Sequence, residues 1–538
     1  MIRNANNFRN SKFWQQLLIK QQSIKKTTIA QLFLADKDRF ENLSLDFENL
    51  NLFVDFSKQH IDLEAINILL DAANYCELNN KIQDLFNGEK INITENKKAW
   101  HVALRVPEPE NDVVAVLQKM GDFSQKLYNN NCDNILCLGI GGSYLGPMMV
   151  LQALDKYTHE LAKKIKFHFI ANIDRDTIDN ILNRLDPGKT IVIINSKSFT
   201  TAETMLNAKI IIDWFKEKLS DNHINIYQTK IFAVTCNINK AIEFGIDSEN
   251  IFPFWDWVGG RYSVWSAVGL PIVIKLGLEN FKKFLRGAYL VDEHFRNVDF
   301  SKNIPVLMAI ISIWNINFMQ YKSLAVIPYL DVLEQFPSYL QQLVMESNGK
   351  TIDLQNNQID YDSAEIIWGG VGCGVQHSFM QMLHQGSQIV PVDFLVAVNN
   401  REFLVANCLA QSQALMQGTN HTLNEVKLLH RELDKFKQCF GNRPSSTILF
   451  RNLTPEVLGG LIALYEHKTF VQGVMWNINS FDQYGVELGK NLANEVLMQL
   501  DPEEIKSGLD IQSSDDNLLK KSMIGLINKY YKFKNNIS

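Results

Sequence analysis

Four largely apolar runs rich in β-branched residues, 134–139, 165–171, 189–194 and 230–236, recur along this chain with helical stretches between them. The runs are continuous rather than alternating, so both faces of each strand must be covered. That requirement selects a parallel sheet with helices on both sides, a doubly wound α/β arrangement. The alternation resumes at 323–328, 364–368 and 388–396, so two such units are expected. Residues 1–110 read mainly as helices and turns, and the tail from 491 as charged and helical.

The chain has 538 residues and a 46% apolar fraction, enough for two or three cored domains. A formal charge of −6 argues against nucleic acid or an anionic membrane as the main partner. The seven cysteines are scattered, with no C-x-x-C pair, as expected in a reducing compartment; cytoplasm is the expectation. No apolar run reaches the length of a membrane span. The first 35 residues are basic and free of acids, a composition shared with transit peptides. The preferred reading is an amphipathic first helix, with Phe13, Trp14, Leu17 and Leu18 packed on the body.

The run at 189–194 ends in hydroxyls: Ser196, Ser198, Thr200, Thr201 and Thr204. A helix is expected next, with Thr200 and Glu203 at capping-box spacing and Met205, Leu206, Ile210 and Trp214 as its apolar stripe. Hydroxyls and free N–H groups at a helix start suit an anion, phosphate first, although an ordinary capped helix has the same appearance. The first strand runs into GIGGSYLGP at 139–147, where Gly141, Gly142 and Ser143 allow close backbone approach to a ligand. The glycine spacing departs from G-x-G-x-x-G and no acid follows about 20 residues on, so a dinucleotide is a weak reading. Two such loops on one sheet edge favour phosphate.

Arg261 follows Gly259-Gly260 and can clamp phosphate or stabilise an oxyanion; pairing with Asp256 is the plain alternative. Glu346, just before the Asn348-Gly349 stop signal, falls at the negative end of a helix, where ionisation is disfavoured, as a general base requires. A merely solvated Glu is the alternative. His377 falls near a helix start, which favours neutral imidazole, whereas His384 reads as a packing residue. No metal-ligand spacing accompanies them. In Ser480–Lys490, read as helical, Gln483, Glu487 and Lys490 share a face, either as a site or as a solvated Glu487–Lys490 pair.

The segments GIGGSYLGP, SKSFTTAET, DWVGGRYSVWSAVGLP, MESNGK, QHSFMQMLHQG and SFDQYGVELGK, in this order, closely resemble the phosphoglucose isomerase family, with weaker likeness at 52–62 and 94–105. The resemblance implies two doubly wound, flavodoxin-like sugar-isomerase domains at 111–285 and 286–490. A helical region at 1–110 would pack on the second domain, and a helical arm would occupy 491–538. It implies a homodimer that interconverts D-glucose 6-phosphate and D-fructose 6-phosphate without metal or organic cofactor. By position, Glu346 matches the base that moves a proton between C2 and C1, and Arg261 the enediolate stabiliser. His377, contributed across the dimer, and Lys490 match the ring-opening pair. Gly142, Ser143, Ser196, Lys197, Ser198, Thr201 and Gln483 match substrate and phosphate contacts. Ser198 stands where the family usually has Thr, Lys97 replaces an Arg, and the glycine-rich run at 369–375 is altered. A sugar-phosphate sensor, or an isomerase of another sugar phosphate, is the competing expectation.

Overall fold

The computed structural model describes residues 7–130, 132–219, 225–419, 434–500 and 518–535. The chain divides into two compact units, Met1–Phe481 and Asp482–Ser538.

The first unit carries both sheets. An N-terminal hairpin, β1 (Ser44–Phe47) and β2 (Leu52–Asp55), precedes the first parallel set. That set comprises β3 (Asn134–Leu138), β4 (Lys166–Ile170), β5 (Thr190–Asn195), β6 (Ile231–Thr235) and β7 (Ile251–Pro253). Its order is β4-β3-β5-β6-β7, parallel throughout. Every residue of β3, β5 and β6 is buried, as their unbroken apolar runs demand. The second set is β8 (Ser323–Pro328), β9 (Ile366–Gly369), β10 (Val392–Ala397) and β11 (Ser445–Phe450). These four are parallel, in the order β11-β10-β8-β9, and the β2–β1 hairpin continues the sheet antiparallel from β11.

Both parallel sets share one topology, since the chain starts in the interior, steps outward once, then crosses back. Strand order therefore reverses between β3 and β5, and again between β8 and β10. Ligands in open α/β sheets bind beyond the C-terminal strand ends at such reversals. The loops that leave β3 and β5 are Gly139–Ser143 and Ser196–Thr201.

The reading of residues 1–110 as helices and turns missed β1 and β2, which supply two strands of the six-stranded sheet. The first helix, Lys12–Ile24, is capped by Ser11 and buries Trp14 and Leu17. Trp14 packs on Phe318 with ring centres 4.8 Å apart. Among the described residues no helix is long and apolar enough to cross a membrane.

The helix Pro455–Met475 is buried along nearly its whole length, polar side chains included. Its Glu466 accepts from Arg105 Nη1 at 2.6 Å and from Trp265 Nε1 at 2.8 Å. Arg105 forms a two-pronged pair with Asp292 (2.7 and 2.6 Å), whose Oδ1 lies 2.7 Å from His467 Nε2. A buried guanidinium shared by two carboxylates is costly to break, because either half left alone is an uncompensated charge.

Burial also holds several histidines neutral. His294 is pushed down to about 4, and its Nε2 accepts the Ile304 N–H at 3.0 Å. His60, His101 and His467 are lowered by burial too. Between pH 6.5 and 4 the unfolded chain takes up protons that the folded chain refuses. Stability is therefore full above the ordinary histidine range and falls on acidification, by up to about 1.4 kcal/mol per pH unit for His294 alone. Denaturant melts at pH 6.5 and 4.5 should show this loss, and His294→Gln should reduce it. An unchanged difference in that variant would exclude His294 as a source.

The second unit, among its described residues, has a turn at Tyr484–Val486 and helices Glu487–Gln499 and Leu518–Asn535.

Candidate active site

The phosphate-loop candidate begins where β5 ends. The Ser196 N–H donates to Val234 O at 3.0 Å, which keeps the chain beside β6 for one more residue. It then turns sharply at Phe199, a non-glycine residue at φ +55° whose ring is buried against Phe244. A bulky residue in this region is strained and persists only where packing enforces it, as happens at ligand-binding loops. The helix Ala202–Lys218 follows, with Thr201 at its N-cap position but no side-chain cap bond. The expected Thr200–Glu203 capping box is absent. The Thr201 hydroxyl lies 3.3 Å from Ser196 Oγ instead, and Thr200 Oγ1 donates to Ser198 Oγ at 2.7 Å. The hydroxyls thus gather on the loop. Half of the expected stripe holds: Met205 and Trp214 pack against the core with Ala208, Ile211, Ile212 and Phe215, while Leu206 and Ile210 are exposed.

Lys197 is half-buried, and its Nζ donates to the carbonyls of Asp256 and Val258, both at 2.8 Å. Burial lowers its pKa. The ammonium ties this loop to the segment that presents Arg261.

The Gly139–Ser143 loop is held from the other side. Asn195 Nδ2, on the last residue of β5, donates to Ser143 O at 3.1 Å. Gly141 adopts φ +57°, and a Cβ there would stand 2.8 Å from Gln342 Nε2. A Cβ on Gly142 would overlap the Gly260 carbonyl. Backbone here meets backbone, with no room for a side chain.

Phe336–Leu340 begins a helix that widens into a π-helical turn at Gln341–Glu346 and ends by Gly349, where the Asn-Gly signal placed its stop. Such widened turns re-aim side chains and are frequent at functional sites. Glu346 ends the widened turn with its side chain 22% exposed. Gln342 Nε2 donates to its Oε2 at 2.9 Å. Arg261 Nη1 lies 3.5 Å from the same oxygen. The guanidinium is anchored on its other edges: Nε donates to Ser347 Oγ and Nη2 to Ser480 O, each at 2.6 Å. Ser480 is braced in turn, because its Oγ donates to Asn348 Oδ1 at 2.6 Å. Asn348 Nδ2 donates to Thr469 O at 3.0 Å, on the buried helix.

Arg261 therefore meets Glu346, Ser347 and Ser480, while the alternative partner Asp256 offers only its carbonyl, to Lys197. The helix end beside Glu346 is not a bare negative pole either. Lys350 Nζ donates to Glu346 O and Ser347 O at 2.9 and 2.8 Å, and so covers the terminal carbonyls.

Among the described residues, no hydrogen bond or ion pair joins His377 or His384 to this cluster. His377 is exposed, in a turn between the helical segments Gly372–Val375 and Met380–Gln385, shortly before Phe379, the N-cap of the second. His384 is half-buried with Nε2 2.8 Å from Gln411 Oε1, the packing role expected of it. Gln483 and Lys490 belong to the second unit. Lys490 is exposed on the helix Glu487–Gln499, but Gln483 precedes that helix, so the expected face of three shrinks to Glu487 and Lys490. Among the described residues no group of three or more His, Cys, Asp or Glu could hold a metal ion.

Sequence reasoning missed Gln342, Ser347, Lys350 and the Ser480 carbonyl. Gln342 was findable, since it precedes Glu346 by four residues on one helix face. The Ser480 contact joins residues 219 apart and left no local trace.

The family model for phosphoglucose isomerase matches residues 55–519. The glucose-6-phosphate isomerase of Helicobacter pylori is 42% identical, covering 95% of this chain and 98% of that protein. That of Shewanella putrefaciens is 41% identical, over 97% and 98%. The crystal structure of a glucose-6-phosphate isomerase from Chlamydia trachomatis superposes with a TM-score of 0.81 at 30% identity, over 92% of this chain and 98% of that one. These relatives each match more than nine-tenths of this chain, and the chain belongs to the phosphoglucose isomerase family.

Proposed function

We infer that the chain interconverts D-glucose 6-phosphate and D-fructose 6-phosphate, an aldose–ketose isomerisation within one sugar. The observation that carries this reading is the Glu346–Arg261 pair, an accessible carboxylate 3.5 Å from a guanidinium anchored on two other edges. Isomerisation needs a base placed over two adjacent carbons and a cation where oxygen charge develops. Glu346 takes the C2 proton and returns it to C1, and Arg261 holds the negative charge of the cis-enediolate between the two transfers. Ser196, Lys197, Ser198, Thr201, Gly142 and Ser143 hold the 6-phosphate away from the reacting carbons, where binding energy serves orientation. His377, Lys490 and Gln483 are assigned on the family resemblance: His377 and Lys490 move the ring-opening proton, and Gln483 contacts substrate. In this proposal the protein works as a homodimer, with His377 supplied by a second copy. Residues 111–285 form the phosphate-binding domain, and 286–490 form the domain that carries Glu346.

A coupled assay of glucose 6-phosphate formation from fructose 6-phosphate tests the reaction, and no turnover would favour the sensor reading. Ser196→Ala should lower kcat/KM about tenfold, the effect of one hydrogen bond to a charged phosphate. An unchanged kcat/KM would move the phosphate elsewhere.

A further inference from the structure

The anchoring of Arg261 continues into a layer that lies behind Ser347. Tyr262 is 2% exposed, and its hydroxyl is 2.9 Å from Ser347 Oγ, the atom that accepts from Arg261 Nε. Its ring stacks on buried His101, with centres 4.5 Å apart and planes 24° from parallel. His101 Nε2 stands 3.8 Å from Glu466 Oε2, which is itself fixed by Arg105. Packing alone does not call for the phenol: a phenylalanine would fill the same space, and a buried hydroxyl is retained where it has a partner. A serine oxygen that accepts from a guanidinium has one rotating proton and one further lone pair. Whichever of the two hydroxyls donates, the Tyr262–Ser347 contact removes that rotation and holds Ser347 Oγ in place.

We propose that Tyr262 is a positioning residue for the reaction: braced by His101, its hydroxyl locks Ser347 and so sets the angle at which Arg261 faces the Glu346 carboxylate. The inference rests on Arg261 acting as the enediolate stabiliser. It assigns Tyr262 no contact with substrate.

The test is a double-mutant cycle read as kcat and KM for fructose 6-phosphate. Tyr262→Phe keeps the ring and its stack and deletes only the hydroxyl. It should lower kcat about fivefold, the effect of one hydrogen bond, and leave KM within about twofold. In an Arg261→Lys background the same change should alter kcat by less than about twofold, because lysine has no Nε–H for Ser347 to hold. An unchanged kcat in Tyr262→Phe, or an equal loss in both backgrounds, overturns the proposal and leaves a purely structural tyrosine. If Arg261→Lys keeps full kcat, the assignment of Arg261 fails and the proposal falls with it. If Arg261→Lys is impaired while Tyr262→Phe is not, the proposal alone fails.

Discussion

Glu346→Gln is expected to lower kcat roughly a thousandfold, within the range by which a positioned base accelerates proton transfer. The amide has the size of the carboxylate and can still accept from Gln342 and Arg261, so the pocket keeps its shape. What disappears is the capacity to take a proton from carbon. KM should stay within about threefold, because the proposed phosphate contacts lie elsewhere. The melting temperature should hardly move, since the side chain is 22% exposed and outside the core. In deuterated water the parent should exchange the C2 hydrogen of glucose 6-phosphate during turnover, and the variant should not. Turnover within tenfold of the parent would refute the role of Glu346.

Gly142→Ala is expected to be nearly as damaging by a different route. Its Cβ would overlap the Gly260 carbonyl oxygen, and both partners are backbone, so no side chain can swing aside. Either the Gly139–Ser143 loop or the segment that presents Arg261 must shift. Misplacing a catalytic group by about 1 Å can cost about a hundredfold in rate, so kcat/KM should fall by at least about that much. Because interiors do not absorb such overlaps, the melting temperature should fall as well. Gly525→Ala is the control: a Cβ there meets nothing within 4 Å, and the helix Leu518–Asn535 should gain slightly from alanine. A Gly142→Ala protein with parental kinetics would show that the two loops need not touch for catalysis.

The strands most closely read from sequence include those whose environment is uniform along the strand, although β4 and β9, only partly buried, were legible as well. β3, β5 and β6 are buried on both faces, so their residues are apolar without interruption, and the expected strands agree with the observed ones to within a residue or two. β11 escaped because it opens with Ser445, Ser446 and Thr447, which look like loop. All three are buried, and the serines find partners far along the chain, Ser445 Oγ with Ser412 Oγ and Ser446 Oγ with Gln59 Nε2. β7 is three residues long, and β1 is half-exposed, so neither carries a strong pattern. The capping box failed as well. Spacing identifies a side chain that can cap, but the helix starts one residue later, with Thr201 at its N-cap position, and the Thr200 hydroxyl donates to Ser198 Oγ instead.

Residue type and local spacing determined a great deal here: the parallel α/β class, the two loops on one sheet edge, and Glu346 and Arg261 as chemically apt groups. These are properties of short windows, in which hydrophobic period and turn chemistry act over a few residues. Only the tertiary structure decided what those groups face. It set Arg261 between Ser347 and Ser480, brought Gly142 onto Gly260, and turned Lys197 toward the carbonyls of Asp256 and Val258. Tyr262, adjacent to Arg261, met Ser347 from 85 residues away. Contacts of that range form when whole layers pack, and packing depends on the joint shape of many segments, which no window of the sequence contains.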